Sequence, residues 1–244
     1  MENRLEHFLN VFTGFNSAAI PGKNKFTFLS KKTGLPQVYL WDGNNGDIKP
    51  FGKFEDRILS VFHSPSGKSS IVGMDTQGNE KQQFYLIDED GNQEELVVSP
   101  EYFHNFGGWS TDESKIVYSS NRRHSGCFDI FTLDLATREE KAVFEYDGNC
   151  NPICWVANSD NEVIISIQKT NIDNALYILN IDTGEKSKIG PADVSARYKS
   201  VVLSKQERAS FVLSDFENDT MAIYKYKIDQ PEILEKLVDE PKWD

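Results

Sequence analysis

Short stretches of alternating or unbroken apolar residues recur along the whole chain, and β-branched and aromatic types are frequent in them. This is the period of half-buried or buried β-strands. Between them stand short polar clusters such as "SPSGKS" at 64–69, whose Gly, Pro, Asn, Asp and Ser suit tight turns. Patterns with a helical period are nearly absent. Residues 2–12 read as a short helix ahead of the first strand. "EILEKL" at 232–237 has helical spacing but falls in the register of an outer strand.

One strand-like segment repeats: "QVYLWD" at 37–42, "QFYLID" at 83–88, "DIFTLD" at 129–134, "ALYILN" at 175–180 and "AIYKYK" at 222–227. Its last residues, Asp42, Asp88, Asp134, Asn180 and Lys227, are spaced 46, 46, 46 and 47 apart. Ser64 and Ser110 keep the same step, as do Trp109 and Trp155. A Gly/Asn/Asp-type turn follows the segment in four copies, and "IDQPE" replaces it in the fifth. Each copy divides into four short strands. In the third they are expected at about 103–109, 115–120, 128–134 and 140–145.

Four-stranded units at spacings of about 40–50 residues are the signature of propeller blades. The chain therefore reads as all-β: a β-propeller of five four-stranded blades at about 17–52, 57–98, 103–145, 150–190 and 197–238, after a lead segment 1–16. All five units look whole, so the expectation is an unlatched ring or an open part of a larger propeller. The connections between blades share a face with the loops between second and third strands. Those loops are the longer and more varied, so they form the candidate binding face. It carries Lys31, Lys32, Arg57, Tyr102, His104, Arg122, Arg123, His124, Tyr146 and Arg197.

That basic and aromatic set stands out on a chain of net charge −12. The acidic balance argues against nucleic acid and against anionic membranes. No apolar run reaches the roughly 18 residues of a membrane span. The start "MENRLEH" lacks the basic and apolar regions of a signal peptide, which predicts a cytoplasmic protein if Met1 is the natural start. The cysteines, Cys127, Cys150 and Cys154, are few and odd in number, against a disulfide framework. Cys150 and Cys154 fall in one strand, where four residues span roughly 13 Å with both side chains on one face. That exceeds the roughly 7 Å limit for a disulfide.

No G-x-S-x-G elbow, phosphate-binding G-x-x-x-x-G-K-[ST] loop or H-E-x-x-H motif is present. No cofactor, metal site or catalytic residue is expected. His63 precedes Ser64, but neighbouring strand residues point to opposite faces, so His63 reads as packing or loop structure. The innermost strands, about 16–20, 57–63, 103–109, 150–156 and 197–203, hold no Asp or Glu. This disfavours a glycosidase, which needs paired carboxylates.

"SSNRRHSGCFDIFTLDLATREE" at 119–140 resembles the repeat of TolB-like propellers and of the propellers of prolyl oligopeptidase-family serine peptidases. Asn121-Arg122, Gly126, Asp129-Ile130-Phe131, Asp134 and Thr137-Arg138-Glu139 fill its pattern, with Arg138 where Gly is usual. "HSPSGK" at 63–68 and "NIDTGEK" at 180–186 resemble its turns. The resemblance covers roughly 17–240. It implies a noncatalytic propeller, close to the acylaminoacyl-peptidase type. That propeller would gate and bind short peptides for an α/β-hydrolase domain that carries the Ser-His-Asp triad outside this chain. The alternatives are a stand-alone TolB-like or tryptophan-aspartate-repeat-like scaffold for a protein partner, and, less favoured, a five-bladed carbohydrate enzyme or lectin.

Overall fold

A computed structural model of the protein describes Val11 and residues 13–204 and 207–238. The helix expected at 2–12 falls almost wholly outside those residues. Among the described residues every regular element is a strand, and no helix is long and apolar enough to cross a membrane. The first sheet holds β1 (Gly14–Ala19), β2 (Lys25–Thr33), β3 (Leu35–Asp42) and β4 (Asp47–Pro50). The second holds β5 (Ile58–His63), β6 (Ser69–Met74), β7 (Gln83–Asp88) and β8 (Gln93–Val97). The third holds β9 (His104–Trp109), β10 (Lys115–His124), β11 (Cys127–Asp134) and β12 (Glu140–Phe144). The fourth holds β13 (Cys150–Trp155), β14 (Glu162–Gln168), β15 (Asn174–Asn180) and β16 (Lys186–Lys188). The fifth holds β17 (Tyr198–Leu203), β18 (Ala209–Ser214), β19 (Ala222–Lys227) and β20 (Gln230–Val238). Every sheet runs antiparallel in chain order, so each is a four-stranded meander, the blade of a β-propeller. "EILEKL" lies in β20, as its register predicts.

The chain forms two compact units, Met1–His104 and Asn105–Asp244. In the first, Leu29, Val38 and Leu40 of one blade pack on Ile58, Val72 and Ile87 of the next. In the second, the fourth blade is buried on both faces. Ile165 joins Val117, Ile130 and Trp155 on one side, while its neighbour Ile164 joins Val212, Tyr224 and Tyr226 on the other. Burial on both faces explains why the middle strands read as unbroken apolar runs.

The repeated Asp or Asn that ends each third strand has a local cause. The Asp88 carboxylate accepts from the backbone N–H of Asp90 and Asn92, at 3.0 and 2.9 Å. Asp134 accepts from Ala136 and Thr137 at 3.0 and 2.8 Å, and Asn180 from Asp182 and Thr183 at 3.0 and 3.1 Å. These are Asx-turns, in which a short side chain replaces the missing backbone acceptor. Lys227 cannot accept, and there β19 pairs Lys227 with Gln230 across a tighter turn. The Ser64 and Ser110 turns are matched as well. The hydroxyl of each accepts the N–H that opens the second strand, Ser69 at 3.3 Å and Lys115 at 2.9 Å. Gly67 in the first of these has φ of 69°, and a Cβ there would sit 2.5 Å from the Pro21 carbonyl.

A second repeated device fastens each blade to the connection that follows it. The Gln37 amide donates to the Asp56 carbonyl at 2.9 Å. Gln83, fully buried, donates to the Tyr102 carbonyl at 3.2 Å and accepts from Ser99 N–H at 2.6 Å. Asp129 accepts from Tyr146 N–H at 2.9 Å. Asn174 donates to the Tyr198 carbonyl at 3.2 Å and accepts from Tyr198 N–H at 2.7 Å. Each sits at the head of a third strand.

Two expectations are corrected. The segments 31–36 and 120–127 are not open loops. β2 with β3 and β10 with β11 continue as hairpins past a register shift, between Ser30 and Thr33 and between Ser120 and His124. Lys31, Lys32, Arg122, Arg123 and His124 therefore stand on strand extensions. And Cys150 and Cys154 do not share a face. A bulge between Pro152 and Cys154 flips the alternation, so Cys150 packs with Trp155 and Ile165, and Cys154 packs against the cluster of Tyr198 and Tyr226.

Burial opposes ionisation of Asp129, but the hydrogen bonds from Arg123 and from Tyr146 N–H outweigh it and hold its pKa below the ordinary value. A depressed carboxylate stabilises the fold fully above about pH 4, and that contribution is lost as pH falls through the folded value. Asp129→Ala should cost about 2–3 kcal/mol in urea unfolding at pH 7. Asp129→Asn should flatten the stability loss below about pH 4. Burial also pushes the Cys150 and Cys154 thiols up to about 12. A disulfide reagent should titrate Cys127 alone in the native chain, and all three cysteines in denaturant.

Candidate functional site

The residues of the expected binding face divide by what holds them. In the first unit, Arg57 donates to the buried Asp75 carboxylate from Nε and Nη2, at 3.1 and 2.7 Å. Tyr102 is exposed at its ring while its carbonyl binds Gln83. His104 corrects the expectation: it is 1% exposed, with its ring centroid 6.0 Å from that of Phe84. It belongs to the interior and not to an accessible face.

In the second unit, Arg122 lies over the Phe131 ring at 4.4 Å and pairs with Glu140. Arg123 grips Asp129 with two nitrogens, at 2.8 and 2.9 Å, and reaches Asp147 at 2.9 Å and the Tyr146 carbonyl at 3.1 Å. Tyr146 stacks on Phe144 with centroids 6.4 Å apart. His124 is exposed, and its Nδ1 lies 3.6 Å from Cys127 Sγ and accepts from Gly126 N–H at 3.3 Å. These side chains brace the β10–β11 hairpin and the connection after β12. Arginine is suited to that role because one rigid fork serves several acceptors.

Arg197 is different. It stands just before β17 and pairs with Asp215, with Nε 3.7 Å from Oδ2, while its own backbone N–H donates to Oδ1 at 2.7 Å. Its side chain remains 44% exposed. It lines a polar cleft of about 240 Å³ together with Asn151, Gln168, Asp173, Asn174 and Lys199. The amides of this cleft are held in a chain. Asn105 Nδ2 donates to Asn151 Oδ1 at 2.9 Å, Asn151 Nδ2 to Asn149 Oδ1 at 2.6 Å, and Asn149 Nδ2 to Gln168 Oε1 at 2.6 Å. Each amide in such a chain fixes the orientation of the next, which gives the cleft defined donors and acceptors.

The cleft wall is the 169–173 turn. The Thr170 hydroxyl accepts from the N–H groups of Ile172 and Asp173, at 3.2 Å each, and donates to the Asp173 carboxylate. Ser195 donates to the other oxygen of that carboxylate and ties the turn to the connection before β17. These hydroxyls hold the Asp173 pKa below the ordinary value, so it is an anion at neutral pH. The cleft thus offers two cations, one carboxylate and oriented amides. That set suits a short zwitterionic or multiply hydrogen-bonded ligand. Among the described residues no group of three or more His, Cys, Asp or Glu is placed to hold a metal ion, and the first strands contain no Asp or Glu.

Sequence reasoning picked out Arg197 and the 168–174 segment's face but not Asn151, Gln168, Asn174 or Lys199. A signal for the amides was present: Asn105 and Asn151 stand one repeat, 46 residues, apart and bond to each other. His63 is a packing residue, as read. Its Nε2 lies 2.8 Å from the Thr27 hydroxyl and its Nδ1 2.7 Å from that of Ser70.

No family profile and no curated protein matches the chain at a significant level. Solved structures do share its fold. The chain is similar to a structure from a study of two prolyl endopeptidases, with a TM-score of 0.74 and 15% identity over 95% of this chain. It spans only 37% of that chain. It is similar to an oligogalacturonate lyase in complex with manganese, with a TM-score of 0.72 and 13% identity over 93% of this chain and 72% of that one. It is also similar to a putative TolB from Agrobacterium tumefaciens, with a TM-score of 0.69 and 13% identity over 92% of this chain and 80% of that one. Likeness at these identities establishes a propeller-type fold and leaves function to the site.

Burial lowers the His63 pKa, so the neutral ring is the folded form. Its contribution is complete above about pH 6.5 and is lost as pH falls through the folded value. Denaturation midpoints should fall as pH drops through that range, and His63→Gln should remove the slope while keeping the level seen above about pH 6.5.

Proposed function

We propose that the chain is a noncatalytic propeller platform that captures short peptides by their ends. The single observation that carries the reading is the placement of Arg197 and Lys199 with Asp173 on one cleft of the second unit. Arg197 and Lys199 take the terminal carboxylate, for which a guanidinium fork and an ammonium are the natural partners. Asp173 takes the terminal ammonium. Asn151 and Gln168 face the main chain, since amides both donate and accept. The likeness to the prolyl endopeptidase structure supports the wider form of the proposal, in which an α/β-hydrolase domain outside this chain performs the cleavage and the propeller limits access to short peptides.

A second reading has its own support. The chain spans 80% of the putative TolB chain, against 37% of the prolyl endopeptidase chain. A scaffold for a folded protein partner would use the blade connections as a platform and would be indifferent to peptide ends.

Calorimetric titration of the chain with free, N-acetylated and C-amidated tripeptides separates the two. The platform reading expects binding of the free peptide, at least about tenfold weaker binding after amidation, and a similar loss for Arg197→Ala with the free peptide. Equal binding of blocked and free peptides, or none, would overturn it. A fluorophosphonate probe should leave the chain unlabelled; covalent labelling would defeat the noncatalytic assignment.

A further inference from the structure

The amides beside the cleft are bonded in one direction, and a backbone atom sets it. Gln168 Nε2 donates to the Thr170 carbonyl at 3.1 Å. A carbonyl can only accept, so the Gln168 amide is held with its nitrogen toward the turn and its oxygen toward Asn149. Asn149 must then present Nδ2 to Gln168 Oε1, at 2.6 Å, and Oδ1 to Asn151. Asn151 gives Nδ2 to that Oδ1, also at 2.6 Å, and turns its own Oδ1 back toward the third blade. There it accepts twice, from Asn105 Nδ2 and from the Ser119 hydroxyl, each at 2.9 Å. Ser119 is fully buried and itself accepts from Asn105 Nδ2 at 3.3 Å. Every link therefore donates the same way, from β9 and β10 through Asn151 of β13 to the 169–173 turn. Reversing Asn151 alone would set oxygen against oxygen on one side and nitrogen against nitrogen on the other, so no amide turns by itself.

Few of these groups remain for a ligand. Asn151 Oδ1 has two lone pairs, and both are taken. Asn151 Nδ2 has two hydrogens, and Asn149 takes one. Asn151 thus enters the cleft as a donor only. Gln168 keeps one hydrogen and one lone pair, so it can serve either way. Asn105, Ser119 and Asn149 do not line the cleft.

We infer that Asn105 is a positioning residue for the cleft. From the third blade it fills the Asn151 oxygen, and so makes the ligand group opposite Asn151 a hydrogen-bond acceptor, a main-chain carbonyl and not an N–H. The direction of the amides stands on their own bonds, and the ligand side rests on the capture of peptides proposed above.

The test reads the side-chain amide signals of the isotope-labelled full chain by NMR. Asn105→Asp puts an acceptor where a donor is needed, in nearly the same volume. It should move the signals of Asn151, Asn149 and Gln168 together. The signal of Asn161, which donates to Asp182 away from the cleft, should stay in place. Asn149 is exposed, so Asn149→Asp tests the direction without threatening the fold. It still accepts from Asn151 but no longer donates, and should move Gln168 while sparing Asn151. The inference fails if Asn105→Asp moves Asn151 alone, if the change spreads to Asn161, or if Asn149→Asp moves Asn151 and spares Gln168. In calorimetry, Asn105→Asp and Asn151→Ala should each weaken binding of a free tripeptide at least about fivefold. The double variant should bind no more weakly than Asn151→Ala alone, because Asn105 acts through Asn151. Additive losses would contradict that role. A wild-type chain that binds no peptide defeats the capture reading, and the NMR signals still decide the direction of the amides.

Discussion

Sheets stacked face to face are held mainly by apolar burial, which has magnitude but little direction. Something must set where one blade stops and the next begins. In this chain that role falls to a polar side chain at the head of the third strand: Gln37, Gln83, Asp129 and Asn174. The first three reach forward to the backbone of the connection leading into the next blade, and Asn174 reaches the first residue of the next blade's first strand. Those connections carry N–H and C=O groups that the sheet ladders do not use, and leaving them unpaired while buried would cost about 1–3 kcal/mol apiece. The staple satisfies them and fixes the connection in the same act. Gln83 does so at both a donor and an acceptor, and Asn174 does so on a single residue, Tyr198. The apolar clusters between blades then form in a geometry already set by hydrogen bonds.

Much of this was legible in the sequence because repetition averages out local ambiguity. The first strands lie within about two residues of their expected positions, and the Asp or Asn closing each third strand marks a turn whose chemistry needs a short acceptor. What was not legible depends on parity. A strand's two faces alternate strictly, so a single extra residue reverses everything after it. The bulge between Pro152 and Cys154 separates two cysteines that simple counting puts together. The shifts after Ser30 and Ser120 turn apparent loops into hairpin extensions. Neither carries a composition signal, since bulges occur with ordinary residues.

The candidate site shows the same division. Basic residues on an acidic chain attract attention, yet Arg57, Arg122 and Arg123 are engaged by acids that fold beside them: Asp75, Glu140, Asp129 and Asp147. Net charge says nothing of such pairing, which depends on neighbours far apart in sequence. Arg197 has an acid partner too, but a looser one, and it shares its cleft with Lys199. What leaves Arg197 partly open to solvent is therefore the geometry of its partner, not the partner's absence.

The position just before the first strand brings these strands of argument together. In the second, fourth and fifth blades it is Arg57, Asn149 and Arg197, and in each its carbonyl accepts the N–H of a residue closing the second strand: Asp75, Gln168 and Asp215. The fold asks only for that backbone bond. The side chains are then free to differ, as an arginine clamped on a buried acid, as an amide passing hydrogen bonds along a chain, or as an arginine left partly in solvent. Repetition thus supplies equivalent sites of known geometry, and function can be placed at one of them without disturbing the others. In this chain the departure from the clamped form occurs where the fourth and fifth blades meet the 169–173 turn, and the cleft lies there.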